Sequence, residues 1–336
     1  MATLRNLLAF LVVFGAIACA ADSSLLNLVM PDTQVLCGAN VERIVNSPIG
    51  KEIGARVQDK YPEVQQVIQK AGFDPTRDLK EVLIAATGKG KAQKALVLVR
   101  GSFDPAKVAA AIARTGRVPQ TYQGVQILEN PSQTNGAFAF LDGTIAVGGD
   151  IDQVRAAIRR RQMNHTTLAG HLASQVAEIS ERYDIWVVSA ASLTEMADSV
   201  SNPQVKQMGD MLKTIEQING GLKFSDNLDL GVELKTHNQK EAQTLRDSLQ
   251  LLIGMAAASQ KDHSALDINA LKLTADETTV RIAFTVTSEQ LKKTYEMQMA
   301  RMQQAAAPPK PLVQDTGVTI QSSERDMGTI VVSSSK

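Results

Sequence analysis

The feature that most constrains this chain is a pattern that returns at a fixed offset. Gly136 to Arg161 holds two apolar runs, Ala137 to Leu141 and Thr144 to Gly148, joined by Asp142-Gly143, a two-residue hairpin signal. A helical pattern follows, with Ile151, Val154 and Ile158 on one face and Arg155, Arg159 and Arg160 on the other. Asn269 to Met302 is built alike. Strands Ala270 to Ala275 and Thr279 to Val286 turn at Asp276-Glu277, and Ser288 opens a helix with the stripe Leu291, Tyr295, Met299 and Met302. Upstream, the hairpin of Leu79 to Thr87 and Lys94 to Arg100, with a helix from Pro105, matches Gly221 to Ser225, Leu228 to Thr236 and the helix Gln239 to Ser259. The helix starts, 105 and 239, and the turn acids, 142 and 276, share an offset of 134 positions.

Each copy opens with a strand and two helices. In the first, Gln34 to Val41 leads to helices around Ile49, Ile53 and Val57 and around Val64, Val67, Ile68 and Ala71. In the second, Asp184 to Ala191 leads to Leu193 to Val200, then to a helix carrying Val205, Met208, Leu212, Ile215 and Ile218. The expectation is an α+β fold of two similar halves, 25–161 and 181–303, each β-α-α-β-β-α-β-β-α. The sheets are antiparallel or mixed, helices cover one face of each, and 162–180 connects the halves. Residues 304–336, with Pro308-Pro309-Lys310-Pro311 and a Ser/Thr-rich end, read as a flexible tail. Within it the β-branched run Thr329 to Val332 is suited to adding to a sheet edge.

Residues 1–21 read as an export signal: Arg5, an apolar run from Asn6 to Ile17, then Ala16, Ala18, Ala20 and Ala21. The run is short for a membrane helix, which needs about 20 residues. Two processing modes stay open: cleavage after the small-x-small motif Ala18-Cys19-Ala20, giving a soluble periplasmic or secreted protein, or lipidation of Cys19 and membrane attachment. Without the signal the chain carries 34 basic and 35 acidic side chains, one Arg fewer than the 35 and 35 of the whole. That balance supplies no field to attract nucleic acid or anionic lipid. Cys37 then remains as a single cysteine outside the signal region, so the core holds the fold without a disulfide.

Searches for chemistry return little. Gly-x-Ser-x-Gly, His-Glu-x-x-His and Cys-x-x-Cys are absent. Gly88-Lys89-Gly90-Lys91 lacks the upstream glycine of a phosphate loop and has Ala92 where a Ser or Thr would hold magnesium. His165 and His171 stand six apart and do not share a helix face, while Met299 and Met302 belong to a packing stripe. No metal or cofactor is therefore expected. Arg159-Arg160-Arg161 sits where cations suit a helix C-terminus. Aromatics are 4% of the chain with one tryptophan, Trp186, too few for a base- or sugar-stacking platform. In the helix Gln239 to Ser259, Ala242, Leu245, Leu249, Leu252 and Ala256 form the inward stripe. Leu251, Ile253 and Met255 lie beyond it and mark a candidate ligand or partner surface, unless the helix from Pro105 covers them.

Three stretches carry a likeness: Met30-Pro31-Asp32-Thr33-Gln34-Val35, then Gly72-Phe73-Asp74-Pro75 with Asp78-Leu79, and Ala146-Val147-Gly148-Gly149-Asp150. Over residues 25–160 the chain resembles exported proteins of soil bacteria of the acidobacterial kind that have no assigned activity. The resemblance implies a cell-envelope setting and brings no catalytic residues. Together these readings give a non-catalytic envelope protein that binds an apolar small molecule or a protein partner. The alternative is a hydrolase with an unrecognised site built from scattered Asp, Glu or His.

Overall fold

The computed structural model describes residues 21–60, 74–88, 94–107, 110, 118–129, 135–163, 168–189, 213–259 and 270–306. In chain order the elements are α1 (Ser23–Leu26), β1 (Val35–Asn40), α2 (Val41–Asn46), α3 (Pro48–Lys60), α4 (Pro75–Asp78), β2 (Leu79–Thr87), β3 (Lys94–Gly101), β4 (Val118–Tyr122), β5 (Val125–Glu129), β6 (Gly136–Phe140) and β7 (Ile145–Asp150). After these come α5 (Ile151–Arg161), α6 (Gly170–Arg182), β8 (Ile185–Ser189), β9 (Ile215–Phe224), β10 (Asn227–Thr236), α7 (Gln239–Ser259), β11 (Lys272–Asp276), β12 (Thr279–Thr287) and α8 (Ser288–Ala306). The chain divides into Met1–Thr294, which holds the sheet, and Tyr295–Lys336, whose described part is the remainder of α8.

Local chemistry sets several element ends. Asn40 caps α2 by accepting the Arg43 N–H at 2.9 Å, and Asp74 caps α4 ahead of Pro75, whose missing N–H suits the first helical turn. Gln123 and Gly124 both take positive φ, 49° and 78°, which lets two residues close the β4–β5 hairpin. Gly38 is required by close approach. A Cβ there would stand 2.2 Å from the ring of Trp186, its cross-strand partner on β8, so the indole lies over the glycine.

The described strands join into one 12-stranded sheet of order β11-β12-β10-β9-β8-β1-β2-β3-β7-β6-β5-β4, antiparallel throughout. The expectation of separate sheets therefore gives way to a single one, because β1 and β8 pair directly from Val35↔Ser189 to Ala39↔Ile185. Outward from β1 the strands run β2, β3, β7, β6. Outward from β8 they run β9, β10, β12, β11.

Strand alternation assigns the cores to faces. On one face Leu36, Leu83, Leu96, Leu98, Val147 and Val188 pack against Val154 and Ile158 of α5 and Leu172, Val176 and Ile179 of α6. Leu25, Leu28, Val29 and Met30, just after the expected signal, plug the same core. A smaller core forms where Ala242 and Leu245 of α7 meet Leu234 and Val280. Cross-strand partners share a face, and the register from Leu234 through Ile218, Ser189, Val35 and Ala86 to Ala95 puts α7 on the opposite side from α5 and α6.

Several expectations need correction. Ile215 and Ile218 belong to β9, not to a helix: their β-branched side chains pair in the ladder, Ile218 with Leu234. The β4–β5 hairpin adds two strands that the expected order of the first half does not contain. Residues 170–180, part of the expected connecting segment 162–180, belong to α6 and supply core. The Asp142 turn spans 141–144 rather than two residues, since Asp142 Oδ1 accepts from both Thr144 N (2.6 Å) and Ile145 N (2.8 Å). Arg160, assigned to the solvated face of its helix, is buried and donates through Nε to the Leu28 carbonyl at 2.9 Å. The helices expected over 61–73, 105–114 and 193–212 lie largely or wholly outside the described residues.

Candidate functional site

Strands β2, β3 and β8 read Leu-Lys-Glu-Val-Leu-Ile-Ala-Ala-Thr, Lys-Ala-Leu-Val-Leu-Val-Arg-Gly and Ile-Trp-Val-Val-Ser, apolar on both faces. One face supplies the large core. On the other, register places Phe138, Gly148, Val97, Ile84, Cys37 and Val187 in a row across β6, β7, β3, β2, β1 and β8. The adjoining row is Phe140, Ala146, Val99, Val82, Ala39 and Ile185. Neither row contains a charged side chain. At about 4.8 Å between strands, six strands make a strip about 24 Å across. Ile84 and Ile185 are 42% and 36% exposed, unusual for isoleucine at the centre of a sheet.

The strip deepens at one end into a cavity of about 490 Å³ lined by Ala95, Val97, Val99, Phe138, Gly148 and Asp150 with the backbone around Gly136, Ala137 and Gly149. Gly148 is its floor: a Cβ there would press on Phe138 Cδ2 at 3.3 Å. Phe138 stands edge-on to Phe140, centroids 4.9 Å apart, and Phe140 meets Phe103 at 5.4 Å, giving the cavity a rigid aromatic wall. Gly149 is held at φ 147°, where a Cβ would lie 2.3 Å from the Ala95 carbonyl oxygen. Asp150 at the rim accepts the Ala95 N–H at 3.2 Å. Burial pushes the Cys37 thiol above its ordinary range, so within the row it is a neutral apolar group.

The buried ionisable groups lie elsewhere. Glu81 sits on the core face beside Asp22, accepts the Asp22 N–H at 3.2 Å and faces Arg100 at 3.6 Å. Burial and the Asp22 charge raise its pKa against the pull of Arg100 and that hydrogen bond. Asp184, 2% exposed, is held by Arg43 at 2.7 Å and by the Phe224 N–H at 2.7 Å, tying α2 to β9. Among the described residues no group of three His, Cys, Asp or Glu side chains could hold a metal ion.

No protein-family model matches the chain, and no curated protein matches it. Solved structures of TP0453 do. Its crystal form III aligns at a TM-score of 0.51 with 10% identity, covering 82% of this chain and 98% of that one. Forms IV and I align at 0.49 and 0.47 with 9% and 11% identity, each over 83% of this chain and 97% and 99% of theirs. The likeness is one of fold. It fits the mixed α+β architecture of an antiparallel sheet with helices and carries no residue roles.

Of the residues singled out from sequence, Leu251 and Met255 on α7 are 66% and 61% exposed and Ile253 is half-buried. Leu252, expected in the inward stripe, is 43% exposed instead, because α7 packs on β10, β11 and β12 through Ala242, Leu245 and Leu249. Cys19, and most of the helix from Pro105 expected to cover this surface, lie outside the described residues. The strip residues themselves were missed. Their signal was present in the continuous apolar runs Val82 to Ala86, Ala95 to Val99 and Ile185 to Val188, which normally mark a sheet buried on both sides. All three arginines at the end of α5 hold structure: Arg159 donates to the Tyr122 hydroxyl, Arg160 to Leu28, and Arg161 to the Leu141 carbonyl and Asp142.

Proposed function

We propose that this is an exported cell-envelope protein that binds an apolar ligand across the open face of strands β6, β7, β3, β2, β1 and β8, without chemistry at that site. The observation that carries the reading is the pair of uncharged rows ending in an aromatic-walled cavity. Asp150 is the ionisable residue among those lining the cavity, and its carboxylate is engaged with Ala95 N–H, so the convergence of acids and bases that a hydrolase needs is not found there. The expected export signal of residues 1–21 supports an envelope setting, as does the resemblance read in residues 25–160 to exported acidobacterial proteins. Among the described residues no helix is long and apolar enough to cross a membrane. The mirrored strand order outward from β1 and β8 supports treating the halves as copies, with β4–β5 as an insertion in the first. An experimental structure in which the β6–β7 and β11–β12 hairpins fail to superpose would overturn that part.

Titration of the mature protein with a fluorescent apolar dye tests the site. Val97→Asp places a charge in the middle of the row, and Gly148→Leu fills the cavity floor. Both are expected to weaken dye binding by about tenfold or more, since a buried unpaired carboxylate is strongly disfavoured, while the fold remains intact by circular dichroism. Dye binding unchanged in both variants would sink the proposal. Fractionation of cells expressing the wild type and Cys19→Ser separates the export modes, because a lipid-anchored protein leaves the membrane fraction when Cys19 is lost and a soluble one does not.

A further inference from the structure

Among the described strands, the two ends of the sheet are β4 and β11. An end strand presents unpaired N–H and C=O groups to any strand that can align with them, and proteins commonly block such edges with proline. Strand β4 carries Pro119 as the second of its five residues. Strand β11, Lys272-Leu273-Thr274-Ala275-Asp276, has no proline and alternates cleanly. Leu273 and Ala275 pack toward the α7 core, while Lys272, Thr274 and Asp276 are exposed on the other face.

Read antiparallel to itself, this strand is self-complementary. With Thr274 opposite Thr274 of a second copy, Lys272 stands opposite Asp276 twice over, and Leu273 stands opposite Ala275 on the α7 side. A parallel alignment would set Lys272 beside Lys272, and a shift by two residues would leave both charges opposite threonine or nothing. We propose that β11 is a self-association edge, where a second copy of this chain pairs its own β11 about a twofold axis through Thr274 and continues the sheet. This inference is independent of the ligand site.

The charges favour that register. Asp276 is 70% exposed on its side chain and has Arg281 of β12 on one side at 3.4 Å, so the partner's Lys272 would place it between two cations. An edge lysine ordinarily discourages pairing because the incoming strand offers it nothing. Here the incoming strand offers a carboxylate. Helix α7 packs on β11, so pairing brings two α7 helices to the same side of the joined sheet. With strands about 4.8 Å apart, these helices come within packing reach, and their exposed Leu251, Leu252 and Met255 are available to supply apolar area that five strand residues lack.

Sedimentation equilibrium of the mature chain over micromolar to sub-millimolar concentrations tests the edge. The wild type is expected to dimerise. Lys272→Asp creates two facing acid pairs and should weaken the dimer by about tenfold or more. Combining Lys272→Asp with Asp276→Lys exchanges the charges and should restore it. Thr274→Cys should give a covalent dimer on mild oxidation, because directly opposite strand residues lie within disulfide reach. Thr285→Cys, exposed on β12, should not. A monomer at every concentration would overturn the proposal. So would a dimer indifferent to Lys272→Asp, or a Thr274→Cys protein that cross-links no faster than Thr285→Cys.

Discussion

The part of the sheet from β1 to β8 and the part from β9 to β12 are covered on opposite faces and by cores of very different size. In the first, α5, α6 and the segment Leu25 to Met30 bury one face under a large continuous cluster, and among the described residues no helix core packs on the other, apolar face. In the second, α7 covers that other face with a five-residue cluster, and the reverse side carries Asp229, Glu233, Lys235, Arg281 and Thr285. The difference separates two uses of the same strand material. Apolar residues on both faces with the described helices on one leave the apolar surface on which the proposed ligand site rests. Apolar residues on one face with polar ones on the other leave a finished surface.

Core truncations give the largest expected contrast. Leu98→Ala, in the large cluster and fully buried, should cost about 3–5 kcal/mol, because tightly surrounded neighbours cannot collapse into the cavity. Leu245→Ala, in the small cluster, should cost about 2–3 kcal/mol, since α7 can settle toward the sheet. Urea unfolding of both variants measures this, and equal losses would mean the cores are equally rigid.

A smaller effect tests the buried carboxyl of the first part. With its folded pKa raised by burial, Glu81 keeps a proton that the unfolded chain has already released. Stability should therefore fall as pH rises from the ordinary glutamate range through the raised value. Glu81→Gln should flatten that slope in calorimetric scans across the same window. An unchanged slope would place the pH dependence elsewhere.

The smallest effect belongs to the outer flank of α7. At concentrations low enough to keep the chain monomeric, Leu251→Ser and Met255→Ser should each change stability by no more than about 0.5 kcal/mol, as expected for exposed positions away from caps and buried networks. A loss several times larger would mean that this flank is covered and that the contrast between the two parts is weaker than drawn.

Legibility in the sequence followed the range of the forces involved. The β6–β7 and β11–β12 hairpins, helix α7 from Gln239 to Ser259 and the start of α8 at Ser288 were readable because turn residues, caps and apolar periodicity act within a few positions. The β4–β5 hairpin escaped because Gln123-Gly124 is a weaker turn signal than Asn-Gly or Asp-Gly and Pro119 argues against a strand. Ile215 and Ile218 went to a helix because a short apolar run fits either period. Arg160 escaped because its burial depends on the Leu28 carbonyl, 132 positions away.

By itself the sequence determined the α+β character, the antiparallel hairpins, the absence of familiar catalytic motifs and the Ala242, Leu245 and Leu249 part of the stripe that seats α7, since each is written in neighbours along the chain. Tertiary structure alone decided that β1 pairs with β8, that the strands therefore form one sheet, and which face each helix covers. Those outcomes depend on contacts between residues as far apart as Val35 and Ser189, and a strand apolar on both faces carries no mark of which one will be left open.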